Sequence, residues 1–513
     1  MNTDTNAHVD LAYITSRKFG RSPDILECLA NLSSDEVFTH PRVVNEMLDL
    51  LPSNVWSNPN LKWLDPCCKS GVFLREIAKR LFVSLGVIMP DEAERREHIF
   101  RNMLYGIGIT AITSEVARRS LYCSKDANGP GSAVLMPTQA GNIFFEESKH
   151  FFGGSGSTRT CKYCGAPDPS NLDTQIDRIL ETHAYNFIHP NNLTILKTMK
   201  FDVIIGNPPY QLKDGGHGAS AKPLYHLFIQ AANGLKPKYL SMIIPSRWFA
   251  GGKGLDAFRE EMLKDTCISH LVDFPNASEC FPDVEIKGGV CYFLRSSSHN
   301  GPCAVTTIMN GDKDTIIRRL DTSKTFVRFN KAIGIINKLQ GLNYKSLDIQ
   351  VSSSKPFGLR TYVVPDKTGN IKLYANKAVG YYDKQLITKS SHLVPLWKVL
   401  VSKGYGAGEG YPHQIIGTPI LAEPNSACTE TYIVVGAYNS ELEARNLLNY
   451  LKTRFVRFLI ALKKNTQDVT RDKYEFVPQL DMTKAWDDET LYKHFSITPA
   501  EREFIESLIK EME

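Results

Sequence analysis

The stretch Phe201-Asp-Val-Ile-Ile-Gly-Asn-Pro-Pro-Tyr210 decides the fold. Apolar, β-branched residues predict a buried strand over Phe201–Gly206, and the two prolines that follow cannot continue it because proline lacks an N–H. Leu61–Asp65 and Met103–Ile109 are further apolar runs, and helical periodicity follows each of them. Strands that alternate with helices predict a doubly wound, mainly parallel α/β sheet, which binds ligands beyond the carboxyl ends of its strands.

Asn207, Pro208, Pro209 and Tyr210 form the candidate catalytic set. The prolines fix the backbone and leave its carbonyls unengaged, while Asn207 adds a side-chain acceptor and Tyr210 a flat ring. The Asn207 oxygen and the Pro208 carbonyl suit the two hydrogens of an exocyclic amine such as adenine N6. Tyr210 would then stack on a base flipped out of the duplex. The alternative interpretation is a rigid turn that caps the strand.

A second candidate site is Asp65-Pro-Cys-Cys-Lys-Ser-Gly71, which separates the first strand from a helix predicted over Val72–Leu85. Its small residues let the backbone approach a ligand, and the helix N-terminus favours a negative group. Asp65 can receive an amine or, through water, a carboxylate. Upstream, Phe38-Thr-His-Pro41 precedes another helix, and Pro41 suits its first turn.

Taken in order, these three motifs resemble the N6-adenine methyltransferases of restriction–modification systems, over roughly residues 30–300. The resemblance implies S-adenosylmethionine (SAM) as methyl donor and a sheet of seven strands with the last one antiparallel. It implies these cofactor-binding residues: Phe38, Thr39, Asp65, Pro66, Gly71, Asn142 and Asn207. It assigns the target base to Asn207, Pro208 and Tyr210.

Two positions depart from that family pattern. Lys69 stands where the family usually has glycine, and Gly108 stands where it usually has an acid that holds the ribose hydroxyls. Either departure is consistent with weak SAM affinity, with a compensating residue such as Glu115, or with a partner that completes the pocket.

Three segments are predicted: an N-terminal extension (residues 1–37), a catalytic domain (38–300) with an insertion at 141–200, and an α+β target-recognition domain (301–513) that binds double-stranded DNA. In the last segment, Ser440 and Glu443 form a capping-box pattern that opens a long helix reaching Leu462. Its basic face is predicted to contact phosphates, and a merely solvated face is the alternative. The residues assigned to this contact are Arg454, Arg457 and Lys464.

The insertion contains Cys161-Lys-Tyr-Cys164, a spacing typical of zinc ligands. Two cysteines make half a site, so His150, His183 or Cys123 would have to complete it. The alternative is a pair of thiols in a loop. A structural zinc ion is therefore predicted as a second, non-catalytic cofactor.

Composition limits the other possibilities. A net charge of +5 permits nucleic-acid binding without requiring it, and 42% hydrophobic residues are typical of a globular protein. No apolar run reaches the roughly 20 residues of a membrane span. The N-terminus carries acids and lacks an apolar stretch, and the 11 unevenly spaced cysteines are too few for a disulfide scaffold, so a cytoplasmic protein is predicted. The family resemblance implies that it is bacterial or phage-encoded. The short segment before Phe38 leaves any nuclease or helicase to a separate subunit.

Competing functions remain open. Pro282-Asp-Val-Glu-Ile-Lys287 is similar to a nuclease motif, but a single residue separates its acids, which leaves no room for two strands. Gly251–Gly254 lacks the residues of a phosphate loop. Asp214–Ser220 is predicted to be a mobile loop over the flipped base. The remaining alternatives are an amine on cytosine N4, RNA or protein as the substrate, and an inactive DNA-binding specificity subunit.

Overall fold

The computed structural model describes residues 37–512 with internal gaps. The residues outside the description are 1–36, 147–149, 155–158, 166–167, 169–184, 190–193, 212–222, 253, 283, 285, 323–324, 407–410, 465–466 and 513. The predicted N-terminal extension up to residue 36, the predicted loop over the base, and His183 therefore lie outside the described residues. So do Asp283 and Glu285, the acids of the nuclease-like string.

Strands alternate with helices in the first half of the chain, as the sequence predicts. The strands of the described part are β1 (Trp63–Asp65), β2 (Leu104–Ile107), β3 (Ile143–Phe144), β4 (Phe152–Gly153), β5 (Thr160–Cys161), β6 (Val203–Gly206), β7 (Tyr239–Pro245), β8 (Ile268–Phe274), β9 (Val290–Ser296), β10 (Cys303–Met309), β11 (Asp312–Arg318), β12 (Ile371–Ala375), β13 (Ala378–Tyr382), β14 (Trp397–Ser402), β15 (Ile420–Ala422), β16 (Ser426–Cys428) and β17 (Tyr432–Tyr438).

Helices connect most of these strands. The α-helices of the described part are α1 (Pro41–Asp49), α2 (Val72–Ser84), α3 (Glu92–His98), α4 (Ala111–Tyr122), α5 (Thr194–Thr198), α6 (Tyr225–Gly234), α7 (Asp256–Lys264), α8 (Lys331–Gly341), α9 (Glu441–Lys452), α10 (Arg454–Ala461), α11 (Asp488–His494) and α12 (Pro499–Leu508). No helix among the described residues has the length and apolarity that a membrane crossing requires.

The principal sheet has nine strands in the order β11-β10-β8-β9-β7-β6-β1-β2-β3. Strands β3, β2, β1, β6 and β7 are mutually parallel, and β9 runs antiparallel between β7 and β8. This confirms the doubly wound fold and the antiparallel last strand of a seven-stranded set. The predicted number is two strands short, because β10 pairs with β8 and forms an antiparallel hairpin with β11.

Strand β1 lies at the centre of the sheet. Leu64 is in register with Tyr105 on one side and with Ile204 on the other. Trp63 packs in the core on one face of the sheet and Leu64 in the core on the other, so both faces of β1 are covered. Since β1 and β6 are parallel neighbours, the residues after Asp65 and after Gly206 emerge at the same edge.

The predicted domain boundary at residue 300 is too early. Strands β10 and β11 belong to the principal sheet, and the apolar core of that sheet extends to Phe326, whereas the next core begins at Val327. The C-terminal part contains two three-stranded sheets, β13-β12-β16 and β15-β14-β17, together with helices α8 to α12. It thus mixes strands and helices, as an α+β domain does.

A buried ion pair ties the two parts together. Arg328 lies just after the change of core, and its Nε and Nη2 donate to the Asp273 carboxylate at 2.5 and 2.9 Å. Asp273 also accepts from the Ser246 hydroxyl at 2.6 Å, and Arg328 Nη2 donates to the Gly288 carbonyl. Asp273 and Arg328 are buried, so neither charge is solvated.

The long C-terminal helix predicted from Ser440 to Leu462 is two helices. Thr453 has extended backbone dihedral angles (φ −61°, ψ 148°), and its hydroxyl caps α10 by accepting from Val456 N. The Asp488 carboxylate accepts from the N–H groups of Arg454 and Phe455. These two N–H groups lie in the first turn of α10 and have no partner within the helix. The predicted capping box is also wrong, because the Ser440 side chain makes no capping hydrogen bond.

Candidate active site

A cleft lies at the carboxyl edge of β1 and β6. Residues 37–39, the turn after β1 and the N-terminus of α2 form its walls. The structure brings five of the sequence-predicted residues together in its lining, namely Phe38, Thr39, Asp65, Gly71 and Asn207. Pro66 is buried in the turn directly after Asp65.

The side chain of Asn207 is held in one orientation. Its Nδ2 donates to the Val37 carbonyl at 2.9 Å and to Thr39 Oγ1 at 3.0 Å, and the residue is 3% exposed. With both amide hydrogens used, Oδ1 has no hydrogen-bond partner among the described residues. Nor does any described residue donate to the Pro208 carbonyl. A buried acceptor without a donor carries a free-energy cost that a ligand N–H can remove.

Tyr210 is placed differently from the sequence-based expectation. Its ring is 8% exposed and packs in the apolar core, and its buried hydroxyl has the Asn207 side chain as its polar neighbour. Burial raises the pKa of this phenol well above its usual value. In this conformation the ring is covered, so it offers no open platform for stacking a base.

Asp65 is a buried carboxylate with few hydrogen bonds or charges nearby to offset the cost of its burial. It accepts from Cys67 N at 3.1 Å and is 1% exposed. Burial raises its pKa from 3.8 to about 7, and the smaller effects of the Cys67 N–H and of the nearby Lys69 ammonium oppose that rise. A cation brought into the cleft would favour the ionised carboxylate.

Lys69 and Val37 are members of the cleft that the catalytic motifs did not identify. Lys69 Nζ donates to the Val37 carbonyl at 3.1 Å, and the residue is 5% exposed. The same carbonyl accepts from Asn207, so one backbone oxygen connects the two loops of the cleft. Lys69 could have been identified as a cleft residue because it stands where the family usually has glycine. The role of the Val37 carbonyl could not, because every residue has a main-chain carbonyl.

Gly71 begins α2 with a left-handed backbone (φ +73°). A Cβ atom at this position would lie 2.9 Å from the carbonyl oxygen of Ala117 in α4. The position therefore requires glycine both for its backbone conformation and for the close approach of the two helices.

Asn142, predicted to bind the cofactor, is not among the residues that line the cleft. It directly precedes β3, and its carbonyl accepts from Gly106 N of β2. Its Nδ2 donates to the carbonyls of Phe100, Arg101 and Leu104. The side chain secures the entry to β2 instead of facing a ligand.

The missing acid at Gly108 has a steric reason. A Cβ atom there would lie 1.8 Å from Ser114 Oγ, which itself donates to the Thr110 carbonyl at 2.6 Å. Ser114 thus occupies the space that an acidic side chain at position 108 would need. Glu115, the suggested substitute, is exposed on α4.

Of the predicted phosphate-binding face, Arg457 is buried, and Arg454 and Lys464 are only partly exposed. Arg457 is 1% exposed and donates to carbonyls, including those of Gln414 and Lys510. Arg454 pairs with Glu506 and Glu511, and Lys464 donates to two backbone carbonyls. Arg457 thus serves acceptors inside the protein, whereas Arg454 pairs with carboxylates at the surface.

We therefore expect the double variant Arg454→Gln/Lys464→Gln to leave the salt dependence of DNA binding unchanged. A phosphate contact would lower the slope by about one unit per lost cation. Arg457→Gln should instead lower the free energy of unfolding by about 2–4 kcal/mol, because buried carbonyls lose their donors. Filter binding over a salt series and urea denaturation provide the two measurements, and a reduced slope in the double variant would restore the phosphate role.

The cysteines of the insertion are placed as expected for a metal site. Cys161 and Cys164 are buried, and the side chains of His150 and His189 lie beside them. This cluster is separate from the cleft and belongs to the hairpin of β4 and β5.

Comparison with known proteins places the chain among methylases. Residues 102–281 match the family described as "Eco57I restriction-modification methylase". An "uncharacterized adenine-specific methylase" of Mycoplasma pneumoniae is 37% identical over 345 residues, which cover 63% of this chain and 80% of that protein.

Solved structures of low identity are similar over part of the chain. A nuclease-deletion mutant of the Type ISP restriction-modification enzyme LlaGI, in complex with a DNA substrate mimic, has a TM-score of 0.49 at 13% identity and covers 86% of this chain and 46% of its own. A modification subunit of a putative type I restriction enzyme from Vibrio vulnificus has a TM-score of 0.34 at 16% identity, covering 56% and 50%. The chain spans about half the length of these two solved proteins.

Proposed function

This chain belongs to the family of adenine-specific restriction–modification methylases, and on that premise we propose that it transfers a methyl group from SAM to adenine N6 in double-stranded DNA. It would act as the modification component of a restriction–modification system. The observation that carries the proposal is the buried Asn207 Oδ1, which lacks a donor at the carboxyl edge of the central strands.

The residues of the cleft fit SAM by their chemistry. Burial raises the pKa of the Asp65 carboxyl to about 7, and the amine of SAM would supply a counter-charge that favours its ionised form. Phe38 and Gly71 line the same cleft, and Gly71 lets the backbone approach a ligand closely. When bound, SAM supplies an electrophilic methyl group.

Asn207 would then perform the polarising step. Its Nδ2 is fixed by Val37 and Thr39, so Oδ1 is held ready to accept one hydrogen of the target amine without reorganisation. The Pro208 carbonyl would accept the other hydrogen. Two acceptors draw the nitrogen lone pair out of conjugation with the base, and the nitrogen becomes a nucleophile.

The affinity for SAM should depend on pH through Asp65. The pKa of this carboxyl is about 7, and the bound amine requires the ionised form. Affinity should therefore rise as pH increases to about 7 and fall about tenfold per unit below it. Above about pH 8 the amine of SAM itself loses its proton, which sets an upper limit. Isothermal titration between pH 5.5 and 7.5 measures the slope.

The matched control for this prediction is Asp65→Asn. It should bind SAM more weakly at pH 7.5 and with no slope over the same range. In the free protein the sign is opposite, because an acid whose pKa is raised by folding costs stability as pH rises from about 4 to 7. An identical slope in wild type and Asp65→Asn would remove Asp65 from the SAM site.

Expression in a host without DNA methylation, followed by sequencing that detects modified bases, tests the function directly. Adenine N6 modification at a fixed sequence supports the proposal. Modification of cytosine N4 instead would show that the protein is a cytosine N4 methyltransferase. DNA binding without modification, with SAM supplied, would favour an inactive specificity subunit. A separate restriction subunit and a cytoplasmic location belong to the same proposal.

A further inference from the structure

Two histidines and two cysteines converge in the insertion that follows β3. The ligand atoms of His150, Cys161, Cys164 and His189 all lie within 4.8 Å of one another. Cys164 Sγ lies 3.4 Å from His150 Nδ1, and Cys161 Sγ lies 4.0 Å from His189 Nε2. The imidazole planes of the two histidines cross at 82°, with centroids 5.2 Å apart.

The 3.4 Å separation is that of ligands around a tetrahedral zinc ion, and the longer ones, up to 4.8 Å, require the side chains to close in by about 1 Å. Zinc bonds of about 2.3 Å to sulfur and about 2.0 Å to nitrogen place ligand atoms about 3.3–3.8 Å apart. Three of the four residues are buried, and no carboxylate joins the group among the described residues. Two thiolates and two imidazoles form a soft donor set that favours zinc over magnesium or calcium.

The backbone around the cysteines also suits a metal ligand. Strands β4 and β5 pair antiparallel, with Phe152 opposite Cys161, and the chain then turns back so that Gly165 N donates to the Cys161 carbonyl at 2.9 Å. The N–H groups of Tyr163 and Cys164 approach the Cys161 sulfur. N–H donors of this kind stabilise a thiolate bound to a metal.

We propose that His150, Cys161, Cys164 and His189 bind one Zn²⁺ ion, which fastens the insertion to the catalytic sheet. His150 was one of the residues predicted to complete the cysteine pair. Cys123 is exposed at the end of α4 and is no member of the cluster. His189 follows Cys164 by 25 residues, a spacing that no short motif covers.

The ion would connect the hairpin of β4 and β5 to the segment that packs against α6. His189 directly follows a short helix (Asn186–Ile188), and the Phe187 ring stacks on Phe228 of α6 with centroids 5.9 Å apart. Helix α6 begins just after the backbone contact in which Leu224 N donates to the Tyr210 carbonyl. A zinc ion at the cluster would thus hold the hairpin together with the short helix that packs against α6.

Metal analysis of the purified full-length protein tests the proposal. About one zinc per chain is expected in protein prepared without added chelator. Cys161→Ser/Cys164→Ser should lose the metal, and His189→Ala should lose most of it. The matched controls are Cys123→Ser and His183→Ala, both of which should keep it. Zinc that persists in the double variant, or that leaves with His183→Ala, would overturn the ligand assignment.

Cobalt substitution provides a second readout that does not depend on the variants folding. Wild-type protein exchanged into Co²⁺ should show the visible absorption of a tetrahedral ion and a thiolate charge-transfer band. Limited proteolysis should then cut the insertion several-fold faster once the metal is chelated. Zinc-free native protein with a Cys161–Cys164 disulfide, or an octahedral cobalt spectrum, would contradict the proposal.

Discussion

Asn207→Ala should lower the single-turnover rate of methyl transfer by about 10²–10³-fold, the usual loss when one preorganised polar group of an active site is removed. The alanine leaves one hydrogen of the target amine without its acceptor as the nitrogen attacks. Asn207 Oδ1 has no other partner in the described structure, so this acceptor is free for the reaction. Affinity for SAM should change by less than about threefold, because the loss falls on the chemical step.

The measurement is transfer of labelled methyl to adenine in duplex DNA with enzyme in excess. Thr39→Val is the graded comparison, because it removes only the Oγ1 that orients Nδ2, and it should cost about tenfold or 1.4 kcal/mol. Tyr210→Phe should be nearly silent, since the ring that packs in the apolar core is kept. A wild-type rate in Asn207→Ala would refute the mechanism.

Arg328→Met should lower the free energy of unfolding by about 3–5 kcal/mol. It leaves the buried Asp273 carboxylate with the Ser246 hydroxyl and without its counter-charge. The double variant Asp273→Leu/Arg328→Met should recover most of the loss, because the uncompensated charge is then gone as well. Urea denaturation, followed by tryptophan fluorescence and by far-UV circular dichroism, measures both.

An exposed ion pair of similar geometry is the control for this effect. Lys264 and Glu260 pair at 2.5 Å on the surface of α7, where both side chains are about two-thirds exposed. Lys264→Met should change stability by less than about 1 kcal/mol, since water solvates the remaining acid. Equal losses from Arg328→Met and Lys264→Met would show that burial of the Asp273 pair contributes nothing.

Much of the catalytic half was predictable because its signals are local. The predicted starts and ends of β1, β2 and β6 fall within two residues of the observed ones, since buried parallel strands are short apolar runs between helices. The cleft residues Asp65 and Asn207 were predictable for the same reason. Each follows a strand directly, and the two strands are neighbours in the sheet.

Other features depend on contacts that no local pattern encodes. Asn142 was assigned to the cofactor from its place in a motif, but its amide donates to the carbonyls of Phe100, Arg101 and Leu104, a contact that no local pattern encodes. The helix after Ser440 keeps its apolar periodicity across Thr453, and the break depends on Asp488, which is distant in sequence. Arg457 looked like a surface cation because its acceptors are backbone carbonyls from other segments.

The shared carbonyl of Val37 has a consequence for genetics. Since the acceptor belongs to the main chain, every amino acid at position 37 supplies it, and alanine scanning would not detect its role. Only the apolar side chain, 6% exposed in the core, restricts the choice of residue there. Variation among natural homologues at this position should thus be conservative in size yet uninformative about function. Replacing the Val37 amide with an ester, whose carbonyl is a weaker acceptor, would weaken both hydrogen bonds at once, whereas loss of Lys69 or of Asn207 would remove only one donor.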